Sequence, residues 1–193
     1  STGGGSGIPE IYTPAQGQGP GSWTNLTQIS SWPADYLYPR AFLAPNGLVM
    51  VASVNSLYSI DPDAPSMTQI GTLPKINWAL PWALYNRGKV LLIAEDGSAV
   101  TLDVNGSNPV IKAVTGPGAN RIWGTATVLP DGKVLLNGGS ATANELVNTA
   151  YTAMIWDPAT QQWTVGAAAQ KPRLYHSNSL LLPDATVLTA GGG

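Results

Sequence analysis

The chain has 193 residues, 44% hydrophobic and 10% charged, with a formal net charge of -2. That charge gives no electrostatic footprint for nucleic acid or an anionic membrane, and no apolar run approaches the ~20 residues a membrane span needs. Disorder is excluded by the apolar content, and thiolate metal sites and disulfides by the absence of cysteine.

The rest of the composition favours short strands and tight turns: 22 glycines and 16 prolines, with seven Trp and seven Tyr against one Phe. The chain opens on STGGGSG (1–7), without a starting Met or a signal peptide. In chain order, the first phrase is IYTP (11–14), running on to Trp23. APNGLVMVAS (44–53) follows, a polar turn and then an apolar run, which predicts a hairpin with a two-residue turn. SIDP (59–62) repeats the first phrase, YNRGKVLLIAED (85–96) the hairpin, and TLDV (101–104) the first phrase again. LPDGKVLLNGG (129–139), IWDP (155–158) with Trp163, and LPDATVLTAGG (182–192) complete the series. The turn positions Gly47, Gly88, Gly132 and Ala185 stand 41, 44 and 53 residues apart by subtraction.

Each repeat thus reads as a hairpin, an apolar strand ending at Asp-Pro, and a further strand, with no helical period anywhere. That is an all-β, kelch-like β-propeller, with roughly four blades' worth of sequence in residues 1–193. The repeat is cut at both termini, so the expectation is one segment of a larger, seven-bladed ring, completed by the remainder of the same propeller. Asp61, Asp131, Asp157 and Asp184 are assigned to turns, where they cap backbone amides. Two sequons, Asn25-Leu26-Thr27 and Asn105-Gly106-Ser107, would permit glycosylation in a secreted protein.

His176 is the single histidine, directly after Tyr175. RIWGTATVLPDG (121–132) and RLYHSNSLLLPDA (173–185) both run from Arg to a turn proline, the second with one residue more. The extra residue predicts a bulge or other irregularity leading into the strand, which is what two adjacent side chains need to face one ligand. Trp123 is placed in the slot of Tyr175 in the preceding repeat. By spacing alone the pair is too small a set for a metal, which needs three or four ligands.

RLYHSNSLLLPDATVLTAGGG (173–193) closely resembles the Tyr-His-Ser segment of the galactose oxidase and glyoxal oxidase family of copper radical oxidases. EIYTP…SWTNL, YPRAFLAPNG and RIWGTATVLPDGKVLLNGGS are similar to the preceding blades, in the same order. The resemblance implies a secreted, extracellular enzyme. It would oxidise a primary alcohol, aldehyde or sugar with O2 to give H2O2. It implies one copper ion with Tyr175 as axial ligand and proton acceptor and His176 as equatorial ligand. The Cys-Tyr radical cofactor would lie upstream, and a second histidine in a downstream domain. Arg40 falls where these enzymes carry a substrate-binding arginine. Ala185 departs from the family's turn glycine. Ser6 and Gly7 stand where galactose oxidase has a tryptophan, so a glyoxal oxidase-like relative fits better than a galactose-type pocket. The rival is a non-catalytic kelch propeller that binds a glycan or protein.

Overall fold

The computed structural model describes residues 7–29, 38–77 and 79–192. Among them are sixteen strands and no helix, and therefore no helix long and apolar enough to cross a membrane. The strands form five antiparallel sheets in series. β1 (Glu10–Thr13) pairs β2 (Ser22–Asn25). Three full blades follow, each a four-stranded meander. The first is β3 (Arg40–Leu43), β4 (Val49–Ser53), β5 (Ser56–Asp61) and β6 (Ser66–Thr72). The second is β7 (Trp82–Asn86), β8 (Lys89–Ile93), β9 (Ala99–Asp103) and β10 (Val110–Val114). The third is β11 (Thr125–Val128), β12 (Val134–Asn137), β13 (Thr152–Asp157) and β14 (Gln162–Ala168). β15 (Ser177–Leu181) and β16 (Val187–Gly191) form the last pair. This is the kelch-type propeller architecture, with its blades in an open series.

The repeat phrases fall where strand chemistry places them. The Val- and Leu-rich runs are second strands, and the phrases ending at Asp-Pro are third strands. Each Asp then turns the chain: Asp61 Oδ1 accepts from the amides of Asp63 and Ala64, and Asp157 Oδ1 from that of Ala159. Trp156 faces Trp163 across the Asp157 turn, and Tyr12 faces Trp23 across the β1–β2 loop, which has no Asp.

The hairpin turns differ from the two-residue expectation. Leu129 N donates to Lys133 O and Gly132 N to Leu129 O, so Pro130-Asp131-Gly132 is a three-residue loop. The same bonds recur at Ala44–Leu48 and Leu182–Thr186. Proline sets the first turn position, and the third position takes positive φ: 88° at Gly47, 81° at Gly132 and 66° at Ala185. Asn86 to Lys89 closes over two residues, Arg87-Gly88.

Blade faces pack against one another. Phe42, Met50 and Leu57 of the first full blade meet Val90, Leu92 and Leu102 of the second. Between the second and third, Leu91 and Ile93 pack with Val134 and Trp156, and Tyr85 meets Trp156 edge-on at 5.0 Å. The seam between the third blade and the last pair carries polar contacts instead. Thr127 Oγ1 donates to Ser179 Oγ (2.9 Å) and Asn137 Nδ2 to Thr189 Oγ1 (3.0 Å).

Candidate metal centre

The strands β7, β11 and β15 lie side by side, each reached through a reverse turn. The turns are closed by Leu80 N to Asn77 O, Gly124 N to Arg121 O, and Ser177 N to Leu174 O, at 3.0, 2.8 and 3.0 Å. A cleft of about 270 Å³ opens between them, with an apolar wall from Leu80, Pro81 and Trp82 and a polar wall from Ser177, Asn178 and Ser179.

His176 lines this cleft, exposed, at the third position of its turn with φ 62°. Tyr175 is half-buried behind it. The two rings stack at 3.6 Å between centroids with planes 27° apart, and Trp123 packs on Tyr175 at 4.4 Å. The irregular approach to the strand is therefore real, but it is not a bulge. β15 and β16 stay in unbroken register from Ser177–Gly191 to Leu181–Val187. The left-handed residue at His176 supplies the irregularity, turning two consecutive side chains out of strand alternation.

The slot assigned to Trp123 is also corrected. Tyr38, Trp123 and His176 each stand seven residues before a turn proline (Pro45, Pro130, Pro183) and share positive φ of 54°, 67° and 62°. Trp123 is thus the counterpart of His176, and Ile122 that of Tyr175. The extra residue separates the arginines instead. Arg121 and Arg173, one place out of step, still reach matching carbonyls, Gly138 O at 3.3 Å and Gly191 O at 2.7 Å. Burial pushes the Arg121 guanidinium down from its ordinary value.

Arg40 is buried at the start of β3, and its Nη2 donates to Asn77 O (2.5 Å) and Leu80 O. The guanidinium braces the turn that forms the cleft's apolar wall. Glycines 3–5 and Ser6 lie outside the described residues, and Gly7 is described with φ 60°. No sequence signal marked Pro81 and Trp82 as cleft residues. Ser177 was legible only as part of the quoted phrase; its Oγ is buried with no hydrogen-bond partner among the described residues.

As a donor set, the pair offers one phenol oxygen and one imidazole, both borderline-to-hard donors suited to copper. Among the described residues no group of three or more His, Cys, Asp or Glu assembles, and the pair by itself supplies two donors. The residues fit part of a copper site.

No family model matches the sequence. Two curated galactose oxidases of Gibberella zeae are each 33% identical over 97 residues, covering 49% of this chain. Over those 97 residues the chain is similar to galactose oxidase. It spans only 14% of those relatives' length. Among solved structures, a fungal alcohol oxidase of the AA5 family in complex with copper superposes with TM-score 0.62 at 20% identity, over 90% of this chain and 51% of that one. YjhT superposes with TM-score 0.63 at 16% identity, over 89% and 65%. At these identities the likeness is one of fold, the propeller.

Proposed function

We propose that this chain forms part of a copper radical oxidase. Such an enzyme oxidises primary alcohols or aldehydes with O2, giving aldehyde or acid and H2O2. The observation that carries the reading is the stacked Tyr175–His176 pair at the cleft, turned out of strand alternation by the left-handed His176. Stacked rings carry their donor atoms at their edges, so a phenol oxygen and an imidazole nitrogen can address one ion from neighbouring planes. His176 would hold the copper through an imidazole nitrogen, and Tyr175 would hold it through the phenol oxygen and act as the base that takes the substrate's hydroxyl proton. Bound copper supplies the redox partner between the substrate carbon and O2. The other donors, a Cys-linked radical tyrosine and a second histidine, come from chain outside these 193 residues.

Arg40 is the cation on the substrate side of this reading, acting next to the Leu80 wall it braces. Trp123 shields the outer face of Tyr175. The enzyme is extracellular on this reading.

The test is peroxide production by the intact protein on a panel of primary alcohols and aldehydes. Tyr175→Phe is expected to lower kcat by 10²–10⁴, the usual worth of a positioned base, with copper content nearly unchanged. Undiminished turnover in Tyr175→Phe contradicts the assignment. If copper is absent from the intact protein, the second reading stands: a kelch module that uses the cleft for binding alone.

A further inference from the structure

The two sequons sit in different physical settings. Asn25 ends β2, the outer strand of its sheet. Strand alternation turns Leu26 inward, buried with Ile29, Val51 and Ile60, and its amide is fixed to Pro9 O at 2.8 Å. Asn25 and Thr27, on either side, are exposed. The third full blade shows that this slot stays open when a neighbouring blade is packed alongside. Val165 stands two residues after Trp163, as Asn25 stands two after Trp23. It is 68% exposed, although Trp163 is fixed to Thr115 O of the second blade at 2.7 Å.

Asn105 is held differently. Its Nδ2 uses both hydrogens, one to Arg87 O (3.0 Å) and one to Asp103 Oδ1 (2.8 Å). The side chain also lies against the turn at Gly88, where an added Cβ would come within 2.8 Å of Asn105 Oδ1. A sugar on that nitrogen removes one of the two hydrogens and requires space the Arg87–Gly88 backbone fills.

We propose that Asn25 is an N-linked glycan acceptor and that Asn105 is not. In the transfer, Asn25 Nδ2 bonds to the anomeric carbon of a lipid-pyrophosphate-linked oligosaccharide. The carbon–oxygen bond to pyrophosphate breaks, the lipid pyrophosphate leaves, and one amide proton passes to the transferase. A glycan there projects from the outer strand, away from the cleft, so the inference stands apart from the oxidase reading.

The intact protein is secreted from a eukaryotic host, treated with peptide N-glycosidase in ¹⁸O-water, and mapped by peptide mass. Label is expected at Asn25 and not at Asn105. Thr27→Ala is expected to remove the glycan and Thr27→Ser to retain it, while Ser107→Ala leaves mobility on a gel unchanged. Because Thr27 and Ser107 are exposed, these variants leave the core intact. Unlabelled Asn25 in the secreted protein, or label at Asn105 above that of a parallel sample incubated without the glycosidase, overturns the proposal.

Discussion

Ala185 occupies a left-handed position that its counterparts fill with glycine, and Ala185→Gly is expected to stabilise the protein. With φ at 66°, the Cβ of Ala185 crowds the following carbonyl, a cost of about 1–2 kcal/mol in the left-handed region. Glycine gives back about 0.4–1 kcal/mol through its greater freedom in the unfolded chain. Side-chain packing adds nothing, because Ala185 is exposed and a Cβ built at the equivalent Gly132 has no atom within 4 Å. The net gain is about 0.5–1 kcal/mol, or a rise in Tm of roughly 1–4 °C for a chain of this size. Gly132→Ala, with φ 81° and the same bonding, is expected to lose a similar amount. Urea midpoints of the two variants and the parent, at constant m, provide the measurement. A neutral or destabilising Ala185→Gly, or a neutral Gly132→Ala, refutes the turn-strain argument.

Acid should loosen the blade turns first. The Lys133 ammonium and amide on Asp131, the Thr186 hydroxyl and amide on Asp184, and the Ser98 hydroxyl and amide on Asp96 all hold these carboxyls below the ordinary value. A lowered folded-state value means the stabilisation is present above the unfolded value of about 4 and is lost as pH falls through the folded one, so urea midpoints should drop on acidification below pH ~4. Asn substitutions at the three sites should flatten that drop. Trp156→Ala removes a fully buried ring wedged between the second and third full blades, and should cost about 3–5 kcal/mol in equilibrium unfolding. Arg40→Ala leaves the carbonyls of Asn77 and Leu80 without their charged donor, and should cost about 2–4 kcal/mol while loosening the cleft wall, read as faster amide exchange at Ala79–Leu80.

The architecture was legible because it depends on local chemistry repeated along the chain. Asp-Gly and Asn-Gly mark turns, Val-Leu runs mark buried second strands, and Asp-Pro ends third strands, so each blade announces itself without reference to the others. Turn length was read wrongly because the glycine alone was counted. The residue before the Asp-Gly, Asn-Gly or Asp-Ala pair belongs to the loop as well: Pro45, Pro130 and Pro183, and Glu95 in the equally bonded loop from Ala94 to Ser98. The Tyr175–His176 irregularity was legible from one extra residue, but its physical form was not. Counting from the arginines aligned Trp123 with Tyr175. The left-handed turn aligns it with His176, and backbone handedness at a histidine or tryptophan leaves no mark in the sequence. The bracing role of Arg40 was not legible, because its hydrogen-bond partners lie 37 and 40 residues away. The polar seam at Thr127–Ser179 was hidden in the same way, since these residues of consecutive sheets lie 52 positions apart in the chain.

The most direct test of the copper reading is metal content of the intact protein with and without His176→Ala, measured by mass spectrometry alongside the Cu(II) electron paramagnetic resonance spectrum. One copper per molecule is expected in the parent, falling several-fold in the variant with loss of one nitrogen's hyperfine contribution and of peroxide production. Equal copper content, an unchanged spectrum and undiminished peroxide in His176→Ala would contradict the account.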